Sequence, residues 1–309
     1  MPGKITQLLS DIQTGDYKSL ARAITIVENS LPGYEELLLS ITTNSSGKII
    51  GITGPPGAGK STLVNALLRH WVNEHKKIAV IAVDPSSPFN YGALLGDRIR
   101  MSDFYNNPNI FIRSLASRGA LGGLNHKIIE ITDIVKQAPF DIILVETVGV
   151  GQSEVEIAGL ADCTIVTVVP EAGDEVQTLK AGIMEIADIF VINKADRDAA
   201  DTMYANLKIM VHEKAGRGLE VPVIKTIATE SKGIPELATV IDAFFAQADI
   251  HNEHKLQLAT EKCWQLLQAE RMKSFDKFML KKALSDKLFQ PGFNLYAFTK
   301  ELLASANAN

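Results

Sequence analysis

Gly54-Pro55-Pro56-Gly57-Ala58-Gly59-Lys60-Ser61 is the stretch whose reading decides the fold. It has the form G-x-x-x-x-G-K-S, with the apolar run Ile49-Ile50-Gly51-Ile52 before it and Leu63, Leu67 and Trp71 at helical spacing after it. Strand, glycine-rich turn and helix in that order are the context in which such a loop wraps a phosphate. Pro55 and Pro56 carry no N–H, so donors must come from Gly57 onward, through Ala58 and Gly59 to Lys60, Ser61 and Thr62 at the helix start. A helix N-terminus favours negative charge there. Lys60 is expected to reach the β- and γ-phosphates and the Ser61 hydroxyl to ligate Mg²⁺. A plain glycine turn with an exposed lysine is the alternative, and it would not require this strand–turn–helix context.

Outward from this loop, apolar strand candidates alternate with helical segments: Lys48 to Thr53, Ile78 to Val83, Ile110 to Arg113, Ile142 to Glu146, Thr164 to Val169, Ile189 to Ile192 and Val221 to Thr226. Near-continuous apolar strands in βα alternation predict a three-layer α/β domain with a mainly parallel sheet covered on both faces. Functional loops should follow the C-terminal ends of the strands. Ahead of this domain, Ile5, Leu8, Leu9 and Ile12, then Leu20, Ala23, Ile24 and Val27, repeat at helical spacing. Beyond Gln247 the strand pattern stops, and Leu256, Ala259, Cys263, Leu266 and Leu267 form a helical stripe. The expected division is a helical extension over 1–46, the nucleotide domain over 47–247 and a C-terminal helical arm over 248–309. That stripe either packs on its own domain or meets another subunit.

The chain has 309 residues, 46% of them hydrophobic, enough to fill a sizeable core. A net charge of -5 gives no general electrostatic attraction to nucleic acid. Cys163 and Cys263 are too few and too far apart for a thiolate metal cage or a disulfide framework. The N-terminus has neither the apolar core of a signal peptide nor the arginine-rich character of a transit peptide, and no apolar run is long enough to span a bilayer. A cytoplasmic protein is expected.

Three further stretches carry chemistry. Asp84, just after Val83, and Asp97 both lie in polar loop contexts; either carboxylate can serve Mg²⁺ directly or through water, or can be a turn or cap acid. Glu146 ends another buried strand and leads into Thr147-Val148-Gly149-Val150-Gly151-Gln152, where Gly149 and Gly151 permit a loop to follow a γ-phosphate. Gln152 can orient an attacking water, although its offset from Gly149 differs from the usual small-GTPase arrangement. Asn193-Lys194-Ala195-Asp196 reads N-K-x-D at a strand end. Asp196 can accept hydrogen bonds from guanine N1–H and the 2-amino group; adenine lacks both, so GTP is preferred over ATP. Thr226-Ile227-Ala228-Thr229 stands where a second base-contacting loop is expected, without a distinctive sequence.

Together, D-P-S-S-P from Asp84, G-D-R-I-R-M from Gly96, E-T-V-G-V-G-Q-S-E from Glu146, V-P-E-A-G-D-E-V-Q from Val169 and N-K-A-D from Asn193 resemble the MeaB/ArgK/MMAA family. These are accessory GTPases of adenosylcobalamin-dependent methylmalonyl-CoA mutase, in the G3E group of P-loop GTPases. The resemblance implies that Lys60 and Ser61 handle phosphate and Mg²⁺. It further implies that Asp84, Asp97 and Glu146 serve the magnesium and switch network, and that Asn193, Lys194 and Asp196 select guanine. Pro170 to Lys180 resembles an additional switch loop that communicates with the mutase, with Gly173 giving it backbone freedom and Lys180 as its coupling residue. A homodimer built through the C-terminal arm is expected on the same ground. A nickel or zinc insertase would need a soft-ligand cluster that two separated cysteines and six scattered histidines do not form. A signal-recognition GTPase would carry D-T-A-G where Glu146-Thr147-Val148-Gly149 stands. An amino-acid transport ATPase or kinase is opposed by N-K-A-D and by the lack of a kinase catalytic-loop signature. Asp249-Ile250-His251 begins a D-x-H-x-x-G cobalamin pattern, but His254 occupies the glycine position, so cobalamin is assigned to the partner.

Overall fold

The computed structural model describes residues 2–42, 47–84, 101–116, 127–147, 157–170, 183–214, 221–272 and 274–306. Seven parallel strands form one sheet in the order β3-β2-β4-β1-β5-β6-β7. They are β1 (Lys48–Thr53), β2 (Ile78–Asp84), β3 (Ile110–Ala116), β4 (Ile142–Glu146), β5 (Cys163–Val168), β6 (Ile189–Ile192) and β7 (Val223–Lys225). The β1 strand lies at the centre, flanked by β4 and β5. Every residue of β4, β5 and β6 is buried, the signature of a sheet covered on both faces.

The alternation of side chains along the strands feeds two cores. Ile50, Ile52, Val80 and Leu144 face α4 (Lys60–Asn73), whose Leu63, Leu67 and Trp71 are fully buried. On the opposite face, Ile49, Ala79, Ile81 and Val145 share a core with α1 (Pro2–Gln13), α2 (Tyr17–Glu28) and α5 (Ile128–Val135). The helical preface is thus part of the body's core. Its Ile12, Leu20, Ala23, Ile24 and Val27 are 0% exposed, each larger side chain contributing about 1.5–3 kcal/mol by leaving water. Asp16 caps α2 by accepting from the N–H groups of Lys18 and Ser19. On β3, Arg113 donates to Glu28 at 2.9 Å and to Thr25 Oγ1 at 3.3 Å, tying α2 to the sheet edge.

Three aspartates close the entry end of the sheet. Asp141, Asp162 and Asp188 immediately precede β4, β5 and β6 or their first residues. Each side chain accepts from a backbone N–H on a neighbouring strand's start: Lys77 at 2.8 Å, Ile49 at 2.8 Å and Thr164 at 2.7 Å. These bonds satisfy donors that the ladder has not yet engaged.

Two differences from the sequence reading stand out. The β3 strand runs on past Arg113 to Ala116, because parallel pairing with β2 continues to Asp84↔Ala116 and supplies partners for the polar Ser114 backbone. The β7 strand starts only at Val223, after Pro222, which has no N–H to give a ladder.

Residues 1–256 make one compact unit and residues 257–309 a second. The remaining helices wholly within the first unit are α3 (Tyr34–Leu39), α6 (Ile183–Ile186), α7 (Ala200–Lys214) and α8 (Ile234–Ala246). Helix α9 (Ala248–Met272) is followed by α10 (Lys277–Lys287) and α11 (Leu295–Ala306). Asp276 caps α10 through Met279 N–H at 2.9 Å, yet no residue of α10 is buried. Phe278, Met279, Leu288 and Phe289 are exposed, as are Leu256, Leu266 and Leu267 of the predicted stripe.

Candidate nucleotide site

The loop after β1 turns directly into α4. Gly54 has φ +139°, and a Cβ added there would lie 2.0 Å from Thr167 O on β5, so only glycine fits. Gly59 has φ +83° and immediately precedes the helix. The first helical bond runs from Leu63 N–H to Gly59 O at 2.9 Å. As at any helix start, the N–H groups ahead of it have no acceptor within the helix, which makes this end suited to an anion. Ala58 N–H is already engaged, donating to Pro55 O at 3.2 Å. Lys60 is only 7% exposed, and its ammonium donates to Gly54 O at 2.8 Å and Pro55 O at 3.0 Å. Carbonyl oxygens thereby compensate a buried charge.

Beside this loop, Ser61 Oγ donates to Glu146 Oε1 at 2.7 Å. Glu146, the last residue of β4, is 4% exposed and pairs in register with Ile52 of β1 and Ala82 of β2. Asp84 is the last residue of β2, two positions beyond Ala82. Thr147 follows Glu146; its Oγ1 donates to Thr53 Oγ1 at 3.0 Å and its N–H to Ile52 O at 3.1 Å. Of the other residues expected here, Asp97, Gly149, Gly151, Gln152, Gly173 and Lys180 lie outside the described residues.

The segment after β6 closes the other side. Asn193, 2% exposed, donates through Nδ2 to Ala58 O at 3.0 Å and Gly59 O at 3.4 Å. Its Oδ1 accepts from Thr226 Oγ1 and from Ala228 N–H, both at 3.2 Å. Lys194 adopts a left-handed backbone, φ +56°, and its Nζ donates to Gly57 O at 2.8 Å. A non-glycine residue in that region is uncommon and persists where its surroundings hold it. Here Ala195 N–H on Thr226 O, at 3.0 Å, anchors the next residue.

These segments line an open cleft of about 230 Å³. Gly59 and Thr62 form the phosphate-loop wall; Asn193, Lys194, Asp196 and Arg197 form the second; Ile227, Ala228 and Thr229 form the third. Asp196 is exposed at the cleft. The Lys232 ammonium is held above its usual range, chiefly by its hydrogen-bonded Glu230 partner, with a smaller pull from Asp196.

The sequence reading grouped Asn193, Lys194 and Asp196 with the phosphate loop, and the structure brings them together. It did not single out Arg197, whereas Ile227, Ala228 and Thr229 belong to the stretch where it expected a second base-contacting loop. The position of Thr226 to Thr229 after the last strand was the only signal for that wall. Its shape comes from a short 3₁₀ turn, Ala228–Glu230, closed by Ile227 pairing with Lys232.

Comparison with known proteins agrees with this architecture. A protein of Pyrococcus abyssi, assigned by name as a GTPase, is 47% identical over 238 residues, which is 75% of this chain and 74% of that protein. The GTPase ArgK of Escherichia coli is 38% identical over 244 residues, 75% of this chain and 73% of its own. A crystal structure described as a LAO/AO transport system kinase superposes with a TM-score of 0.65 and 29% identity, covering 99% of this chain and 93% of that one. The profile described as methylmalonyl Co-A mutase-associated GTPase MeaB matches residues 20–279. The chain therefore belongs to the MeaB family of P-loop GTPases.

Proposed function

We infer that this chain is a Mg²⁺-dependent GTPase that couples GTP binding and hydrolysis to cofactor loading and protection of an adenosylcobalamin-dependent methylmalonyl-CoA mutase. The observation that carries the nucleotide part is one cleft lined by both the phosphate loop and the N-K-A-D segment, hydrogen-bonded to each other. In this reading Asp196 accepts from guanine N1–H and its 2-amino group, and Lys60 leaves the carbonyls of Gly54 and Pro55 for the β- and γ-phosphates. The backbone of Gly57, Ala58, Gly59, Ser61 and Thr62 cradles the phosphates.

Ser61 Oγ and Glu146 Oε1 offer two hard oxygens side by side, and no group of three or more His, Cys, Asp or Glu suited to a metal occurs among the described residues. That donor set fits Mg²⁺, which takes one or two protein oxygens and completes its shell with phosphate and water. Ser61 and Glu146 would hold it, with Asp84 and Asp97 serving its water shell. When bound, Mg²⁺ supplies charge neutralisation at the phosphates. Gln152 orients the attacking water, and Gly149 and Gly151 let the switch follow the γ-phosphate. The loop containing Gly173 and Lys180 transmits that state to the mutase.

The mutase as partner rests on family membership, and on a Caenorhabditis briggsae relative, 35% identical over 210 residues, named methylmalonic aciduria type A homolog. Cobalamin is carried by that partner. The exposed apolar side chains of α10 support a homodimer formed through residues 248–309. No helix among the described residues is long and apolar enough to cross a membrane; we place the chain in the cytoplasm.

Phosphate release from GTP and ATP, with Mg²⁺ or with EDTA, and with or without the mutase and adenosylcobalamin, tests this reading. Release from GTP that needs Mg²⁺ and rises with the mutase is expected. Equal turnover of ATP rejects guanine selection, and a mutase that neither stimulates release nor gains cofactor rejects the partner. The transport-kinase alternative, motivated by the structural neighbour's name, predicts phosphate on a protein acceptor instead of free in solution.

A further inference from the structure

Strands β1 and β4 part at the threshold of the phosphate loop. Their last register pair is Ile52↔Glu146, and the bond from Thr147 N–H to Ile52 O, at 3.1 Å, carries the contact one residue further. There β1 gives way to the loop at Gly54, and β4 to the segment that begins at Thr147. At this fork Thr147 Oγ1 donates to Thr53 Oγ1 at 3.0 Å. Thr53 and Thr147 are 0% and 1% exposed, so water does not compete for the bond. Both side chains are β-branched and stiff at χ1, so a bond between their hydroxyls restrains the backbones that carry them. One of those backbones continues directly from Glu146, and the other leads through the loop to Ser61 on α4. Ser61 Oγ and Glu146 Oε1, 2.7 Å apart, therefore stand on two chain segments that the threonine pair ties together.

We propose that Thr147 and Thr53 are positioning residues for magnesium: their hydroxyl bond holds the end of β4 against the start of the phosphate loop and so sets the separation of Ser61 Oγ and Glu146 Oε1. This rests on the reading of those two oxygens as the Mg²⁺ ligands. Mg²⁺ demands near-ideal geometry, so a small drift between ligands on different elements costs affinity. None of the contacts proposed for the base or the phosphates runs through the hydroxyl pair, which places the predicted defect at the metal.

The test uses the full chain and the fluorescent N-methylanthraniloyl derivative of guanylyl imidodiphosphate, a GTP analogue that is not hydrolysed. Its affinity is measured in EDTA and then across a Mg²⁺ titration. Thr147→Val keeps the branched shape and removes the donor; it should raise the Mg²⁺ concentration needed for half of the affinity gain by about five- to tenfold. Affinity in EDTA should stay within about twofold. Thr147→Ser should restore the Mg²⁺ response, and Thr53→Val should match Thr147→Val, with the double variant no worse than either. Melting curves without nucleotide establish folding, and if Thr147→Val does not fold, Thr53→Val answers the same question. An unchanged Mg²⁺ requirement, an equal loss with and without Mg²⁺, failure of the serine variant to rescue, or additivity of the two valines would each overturn the proposal. Ser61→Ala separates the two readings. If it raises the Mg²⁺ requirement and Thr147→Val does not, the threonine proposal falls and the magnesium assignment stands. If Mg²⁺ has no effect on the unmutated chain, or Ser61→Ala changes nothing, both fall.

Discussion

In the α/β body a lysine, Lys60, is 7% exposed, and in the C-terminal unit a phenylalanine, Phe289, is 89% exposed. Both invert ordinary burial preferences, for opposite reasons. The lysine charge is held inside because two backbone carbonyls, from Gly54 and Pro55, accept hydrogen bonds from its ammonium. Among the described residues, the groups that hold the walls of the cleft together are hydrogen-bonded to one another. The C-terminal unit has the opposite balance. Helix α10 buries no residue, and an isolated helix of 11 residues is too short to persist in water on propensity alone. The cleft's polar groups are paired with one another, whereas the apolar side chains of α10 stand exposed, which is the surface the proposed dimer would cover.

Tightness of the cleft can be broken at Gly54. Gly54→Ala should cost about 3 kcal/mol or more, because its Cβ would meet the Thr167 carbonyl at 2.0 Å in a backbone conformation alanine disfavours. The thermal midpoint should fall by roughly 5–10 °C, and an unchanged midpoint would mean that β5 can retreat. A smaller effect sharpens the chemical half of the contrast. Asp196→Asn should weaken GTP binding by on the order of 100-fold and make xanthosine triphosphate the better ligand, since its 2-oxo group pairs with the new amide donor. Retained GTP affinity in a competition assay would remove Asp196 from base selection.

The other half is tested by charge. Phe278→Glu with Phe289→Glu should weaken the proposed self-association about tenfold or more, read as sedimentation-equilibrium mass across a dilution series, while GDP affinity stays within about twofold. A monomeric unmutated chain at every concentration would show that these side chains do not serve a dimer. The smallest effect is expected at Thr167, whose Oγ1 is buried without a hydrogen-bond partner among the described residues. Thr167→Val should leave stability equal or raise it by up to about 1 kcal/mol in urea titration, and a loss would reveal an unrecognised role for the hydroxyl.

Much of the sheet was legible because burial on both faces leaves unbroken apolar runs. The expected limits of β1, β4 and β6 match the structure residue for residue. Where a strand carries polar residues, as β3 does at Arg113 and Ser114, apolar content stops marking it although the ladder continues. The stripe from Leu256 to Leu267 shows the converse limit. Periodicity identified a helix, but Leu256, Leu266 and Leu267 are exposed, and a pattern of apolar residues does not say what covers them.

By itself the sequence determined those parts whose physics is local: the strand–turn–helix of Gly54 to Ser61, the capped and periodic helices, and the N-K-A-D segment at a strand end. Only the tertiary structure decided which polar groups meet. Ser61 reaches Glu146 across 85 positions and Thr226 reaches Asn193 across 33. The aspartates before β4, β5 and β6 likewise bond to strands adjacent in space and distant in sequence. Hydrophobic burial repeats with the period of a helix or strand and so leaves a trace along the chain, whereas a long-range hydrogen bond joins two single positions and leaves none until the strand order brings them together.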